Sequence, residues 1–341
     1  MSNRTLKVVM LLSMAVIFAM VSSAGLAVAN DLPKMKLKVA QSMMAKTSLT
    51  HKLIEEMAAN ISKRTDGKLT FSVLGPEVGD WAELQRMALR GAIDMQFNVF
   101  DTGLDPRWSF NSLPFPVEGW NQAREVFGPD GVMAEIVSPW AAEQGLAYLG
   151  PWLNGISSLG LRESVVTNPD LAKGLKIRVP PVEIFKTYVE KMGFSAVTIP
   201  WAETPTAVAT GLVDGWVGSS SVYMYDLFRD VAKVMVLTYE APEVWHITFN
   251  AKKWGKLPKE YQQIIQEEAG KINEKHLAAI EKEELENQEK LKSMGWTIVD
   301  MAKDHPDELK RWKSLAMQTW DEYAPIIGQS NIDKFKAAVI K

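Results

Sequence analysis

The chain has 341 residues, 47% of them hydrophobic and 23% charged, with a formal net charge of −3; this fits a folded protein of about two domains and excludes a disordered one. Mild acidity is poorly suited to nucleic acid or to an anionic membrane surface. The complete lack of cysteine excludes disulfides, metal–thiolate centres, thiol nucleophiles and a lipidated N-terminal cysteine.

The first 29 residues differ in kind from the rest. Arg4 and Lys7 precede an apolar run from Val8 to Val21, and Ala27-Val28-Ala29 stands just before Asn30. That order is the layout of a secretory signal peptide, with cleavage expected after Ala29. Ser22, Ser23 and Gly25 interrupt the apolar stretch, which argues against a membrane anchor. Removing Arg4 and Lys7 takes the net charge from −3 to −5. The expected product is soluble and periplasmic, because no other segment is apolar enough to span a bilayer.

Met35 to Ala40 alternates like a strand, and Leu53, Ile54, Met57, Ala58 and Ile61 recur at helical spacing behind Thr50. Thr65-Asp66-Gly67 makes a turn before a second strand, 69-LTFSVLG-75. A helix over Ala82–Ala92 leads to a third strand, 93-IDMQFNVF-100. Such alternation predicts a parallel α/β sheet with right-handed crossovers. The pattern restarts after 154-NGISSLGL-161. In 174-GLKIRVPP-181, Leu175, Ile177 and Val179 alternate with Lys176 and Arg178 until the prolines stop the strand. Arg178 therefore stands at a strand's carboxyl end, the edge at which open α/β sheets bind ligands. A helix over Ile184–Met192, a strand 195-SAVTIP-200, a helix near Thr206–Leu212 and a strand 213-VDGWVG-218 follow.

The third part is mostly one helix, from Pro258 to about Ser293, of roughly 50 Å. Tyr261, Ile264, Ile265, Ala269, Ile272, Leu277 and Ile280 form its apolar stripe, and 281-EKEELENQEKLK-292 reads as a solvated face. The fold class is thus α/β with two lobes, a ligand cleft between them and a long helix bracing both. The expected division is 30–154 for lobe I and 155–242 for lobe II. Residues 243–283 return to lobe I and begin the long helix, and 284–341 end it and pack on lobe II.

Catalytic signatures are missing. The sequence contains no G-x-S-x-G, H-E-x-x-H, phosphate-loop or G-x-G-x-x-G motif. His51, His246, His276 and His305 have no neighbours at metal-ligand spacing and read as structural or solvated. Carboxylate-pair chemistry stays open on sequence grounds, but nothing requires an enzyme.

The stretch from Gly174 to Ser220 carries three linked features: G-L-K-I-R-V-P at 174–180, Pro200-Trp201-Ala202-Glu203, and Gly211-Leu212-Val213-Asp214-Gly215. In that order they closely resemble the signature region of the solute-binding proteins of TRAP transporters, the dicarboxylate-binding-protein-like family. The run 249–271, the long helix, 293-SMGWTIVD-300, Leu74-Gly75 and Gly91–Met95 are similar too, so the likeness covers essentially the whole exported chain. It implies a periplasmic binding protein, not an enzyme. Such a protein closes on a small carboxylate and delivers it to a small and a large membrane subunit driven by an ion gradient; a monomer is expected. A binding protein of an ATP-driven importer and a periplasmic sensor are the alternative readings, a periplasmic enzyme the remoter one. No cofactor or metal site is singled out, and whether a metal ion takes part in binding stays open.

The resemblance also assigns roles. On the residues alone Arg178 reads as a solvated strand-end charge; in relatives the matching arginine grips the substrate carboxylate, as a planar guanidinium can. Trp201 takes the place of a ligand-stacking aromatic, although a core tryptophan is the competing reading. Glu203 is expected to orient the helix start or pair with a neighbour rather than touch substrate. Gly91 and Gly211 read as helix stops. Further candidates for the cleft are Gln41, Asn98, Trp152, Ser157, Trp216 and Trp245. The chain departs from the pattern where relatives carry a second arginine after Asn154-Gly155, since its next arginine is Arg162, and where 216-WVGSSS-221 replaces a polar run. Those departures point to a monocarboxylate with an apolar or aromatic body, though packing explains the same tryptophans nearly as well.

Overall fold

A computed structural model describes residues 32–340; the expected signal peptide lies outside them. Nine strands form one sheet: β1 Met35–Ala40, β2 Leu69–Leu74, β3 Met95–Asn98, β4 Leu146–Leu161, β5 Lys176–Val179, β6 Ser195–Thr198, β7 Gly215–Trp216, β8 Val234–Asn250 and β9 Thr297–Asp300. Leaving single-turn segments aside, the helices are α1 Leu49–Arg64, α2 Trp81–Leu89, α3 Trp120–Phe127, α4 Val132–Glu143, α5 Glu183–Lys191, α6 Thr204–Ala209, α7 Lys259–Ser293, α8 Pro306–Ala316, α9 Gln318–Ile327 and α10 Gln329–Val339. Among the described residues no helix is long and apolar enough to cross a membrane.

The strand order is β2-β1-β3-β8-β4-β7-β5-β6, with β9 added to β8. At one end β1 pairs in parallel with β2 and β3; at the other, β5 pairs in parallel with β6 and β7. These are the two α/β units anticipated from the alternating pattern. They are joined by β4 and β8, antiparallel strands of 16 and 17 residues that pass through both. Leu146–Leu153 pairs with Val244–Asn250 in the first half, and Ile156–Leu161 with Val234–Pro242 in the second. Between them the register breaks at Leu153/Ile156, and it shifts within the halves at Tyr148/Gly150 and Ser157/Leu159. Such bulges bend the strands and interrupt the ladder.

Neither long strand is anticipated as a strand. Both are buried along nearly their whole length, so they lack the in–out alternation that marks a half-exposed strand. Gly150, Pro151, Gly155 and Gly160 in β4 further resemble loop punctuation.

The helices follow their local signals. Ser48 caps α1 by accepting from the His51 amide, and Asp80 caps α2 by accepting from Glu83. Gly91 and Gly211 follow helix ends at φ of 76° and 73°, a conformation that favours glycine. α7 starts just after Pro258 and lies against α1, β4 and β9, and against the turn Ser221–Tyr223. Its apolar stripe is buried as expected. The stretch 281–292 is not simply a solvated face: Glu284, Asn287, Gln288 and Leu291 are buried as well. The cause is local, since Ser221 donates both its amide (2.9 Å) and its hydroxyl to the Glu284 carboxylate. At the C-terminus α8 packs on α5, α9 on both α5 and the 3₁₀ segment Pro106–Ser112, and α10 on α3 and α4. Trp312 holds α8 on the second half by donating to the Met192 carbonyl (3.0 Å), whereas Trp320 reaches the first half by donating to that of Pro114 (2.8 Å).

Candidate ligand-binding cleft

Arg178 sits on β5, between β6 and β7, with Val197 and Trp216 as register partners. The alternation places Ile177 and Val179 in the core as expected, yet Arg178 on the other face is only 1% exposed. Its Nε donates to the Ile199 carbonyl (2.9 Å) and its Nη1 to that of Val217 (3.4 Å), groups just beyond the ends of β6 and β7. The guanidinium lies 5.2 Å from the centre of the Trp201 ring. No carboxylate among the described residues pairs with it. Burial holds its pKa down to about 9, so it remains cationic at neutral pH. A desolvated cation without a counter-ion is costly to a fold. The arrangement therefore calls for an anion from outside.

The guanidinium faces a cavity of about 140 Å³ between the two halves of the sheet. The first half contributes Trp81, Phe100, Trp108 and Asn111 to its wall, and the second Ser157, Pro180, Trp201 and Tyr223. Glu243 and Trp245, from the middle of β8, line it as well. Among the described residues of the wall, Arg178 is the only cation and Glu243 the only acid.

A family model for bacterial extracellular solute-binding proteins, family 7, matches residues 39–325. The chain belongs to this family. The sialic acid-binding periplasmic protein SiaP of Vibrio cholerae is 24% identical to it over 299 residues, 85% of this chain and 89% of that protein. The periplasmic ectoine-binding protein of the TeaABC TRAP transporter of Halomonas elongata superposes with a TM-score of 0.82 at 19% identity, covering 89% of this chain and 99% of that one. A TRAP solute-binding protein of Chromohalobacter salexigens with bound D-glucuronate gives 0.81 at 21% identity, over 89% of this chain and 99% of that one. The fold is thus the two-lobed one of TRAP solute-binding proteins, and the protein is a binder rather than an enzyme. Proteins of this family are periplasmic, take small carboxylates and work with TRAP membrane subunits.

Within this solute-binding protein, four of the anticipated cleft residues line the cavity: Arg178, Trp201, Ser157 and Trp245. Trp201 opens a 3₁₀ turn behind Pro200, half-buried, with edge contacts to Tyr223 (5.3 Å) and Phe228 (5.7 Å). Ser157 accepts the Gly218 amide at 2.9 Å. Glu203 is exposed at the start of the following helix, off the wall, and its side chain makes no capping hydrogen bond there.

The other four lie behind the wall. Trp216 is stacked on Phe228 at 3.9 Å and donates to Ser219 Oγ (2.7 Å), its ring occupying the space where Gly160 has no side chain. Trp152 stacks on His276 (4.2 Å) beneath α7. Gln41 is spent on the backbone of Met43 and Met44, and Asn98 on the Trp81 carbonyl (2.7 Å). Arg162 offers no second cation to the cavity; its Nη1 would stand 2.3 Å from a side chain at Gly211. His246 and His276 are buried with pKa values lowered to about 3 by desolvation, so both are neutral. His305 is exposed.

Sequence reasoning passed over Trp108, Asn111, Tyr223 and Glu243. Glu243 left a trace, an acid inside 241-APEVWHITF-249 that interrupts an otherwise strand-like run. Asn111 left none.

Proposed function

We propose that this protein captures a monocarboxylate with an apolar or aromatic body and hands it to the small and large TRAP membrane subunits. Arg178 is the observation that carries the reading: one buried cation without a protein counter-ion, in a cavity whose remaining walls are mostly apolar, with several aromatic rings among them. Two parallel N–H donors suit one carboxylate, and the Trp201 ring 5.2 Å from the guanidinium supports a stacking contact with the body of the acid. A dicarboxylate would bring a second anion to a wall with no second cation. The proposal includes export by cleavage after Ala29, action as a monomer in the periplasm, and lobes divided near Asn154-Gly155 and Pro242-Glu243.

The test is a thermal-shift screen of protein stripped of carried-over ligand, against short monoacids, 2-oxo acids, dicarboxylates, sugar acids, amino acids and aromatic acids. A ligand at 100 times its Kd adds about 2.7 kcal/mol to stability. Larger shifts from monocarboxylates than from dicarboxylates or sugar acids are expected. The reverse order overturns the monocarboxylate assignment, and no shift from any acid overturns the role of Arg178.

A further inference from the structure

The cavity holds more unpaired polarity than one carboxylate uses. Glu243 Oε1 and Asn111 Oδ1 are buried acceptors without hydrogen-bond partners, and both residues line the same space as Arg178. Glu243 is poorly placed to remain a lone anion. Burial pushes its carboxyl well above the usual carboxylate range, and Glu284 on α7 and Glu240 on its own strand add to that, so it becomes an anion only when a cation from outside stands beside it. The favourable contact it receives within the protein is from the Ser220 amide. Tyr223, on the same wall, is kept in its phenol form by burial and by Glu243 itself. Arg178 lines the cavity too, yet the two form no ion pair.

An unpaired cation and an unpaired acid on one wall are complementary to a molecule that bears both charges. Trp81, Phe100, Trp108 and Trp201 add aromatic faces, which attract cations. A cavity of about 140 Å³ is close in size to one that admits a single benzene ring. We infer that the solute is a small zwitterion: its carboxylate sits on Arg178, and a nitrogen bearing N–H groups donates to Glu243 and Asn111. This rests on the carboxylate reading of the site and narrows it to amino-substituted acids.

The experiment is calorimetry with matched pairs that differ by one amino group: leucine against 4-methylvalerate, phenylalanine against 3-phenylpropanoate, and 5-aminovalerate against valerate. These cover nitrogens near to and far from the carboxylate. A preference of fivefold or more for the amino form in at least one pair is expected, with the preference lost in Glu243→Gln. A preference below fivefold in every pair overturns the inference, as does one that Glu243→Gln leaves intact. The wild-type comparison needs no variant and stands even where the substitution impairs folding. If the deaminated acids bind as well as the amino acids and Arg178→Ala abolishes that binding, the zwitterion fails and the carboxylate site survives. If no acid of either kind binds, both fail.

Discussion

At the scale of single residues, Arg178 stores a cost that a ligand relieves. The guanidinium has lost water and gained only two carbonyls, so truncation removes both the internal cost and the grip on the acid. Arg178→Ala should leave the protein folded, with an unchanged or higher melting point, while binding weakens by about 2–5 kcal/mol. Calorimetry beside a melting curve separates the two effects; near-wild-type affinity would rule out the assigned role. Arg178→Lys should also bind less tightly, since a point charge does not reproduce the fork. The cation is present through neutral pH, so affinity should fall only as pH rises through about 9. For Trp201, an alanine variant should lose more affinity for aromatic acids than for aliphatic ones of similar length, and equal losses would count against stacking.

The burial of Arg178 was not legible in the sequence, since the residues alone read as a solvated charge and only the family likeness pointed to the cleft; its place at a strand's carboxyl end was, because β5 is short and ends at two prolines. Trp216 and Trp152 were misplaced for the opposite reason. Which layer a tryptophan occupies depends on partners far away in sequence, Phe228 and Gly160 for one and His276 for the other.

At the scale of elements, the crossing of β4, β8 and α7 is a junction of unusual chemistry. Gly155 has φ of 149°, and a Cβ there would stand 2.6 Å from Glu284 Oε1 and 2.7 Å from Ser220 Cβ. Gly155→Ala should therefore destabilise the protein by about 1–3 kcal/mol from backbone strain alone, read by denaturant unfolding; an unchanged midpoint would show that this junction has slack. Glu284 itself is fully buried, and desolvation lifts its pKa to about 7. A carboxyl whose folded pKa lies above its unfolded one is stabilising when protonated. The contribution is present below about pH 4.5 and is lost as pH rises toward 7. Stability from this group should thus decline between those values, by roughly 2–4 kcal/mol, and Glu284→Gln should flatten the decline. Equal pH slopes in the two proteins would contradict the assignment. Near it, Asn154 donates to the Tyr223 hydroxyl (3.1 Å) and accepts from Thr50 (2.8 Å), which in turn meets His276 (3.3 Å). That chain ties both halves of the molecule to the long helix through uncharged groups.

At the scale of the whole molecule, the wall of the cavity is split between two bodies joined by continuous strands, so a bound acid bridges them. Ligand should raise amide-exchange protection at 153–156, beyond the residues that line the cavity, if the halves close about this break; unchanged protection there would place the motion elsewhere. The two-unit architecture could be read from alternating patterns in the sequence, since each parallel unit is local. The single sheet could not. β3 pairs with a segment of β8 about 150 residues later, and no periodicity within either strand records that pairing.

That late pairing also bears on how the chain reaches its folded form. The sheet of the first half is incomplete until Val244–Asn250 arrives beside β3 and β4, and α7 covers it later still. Contacts so distant along the chain are slow to form. Most of the chain has to be synthesised before either half can lock, and the strands made first wait longest for their partners.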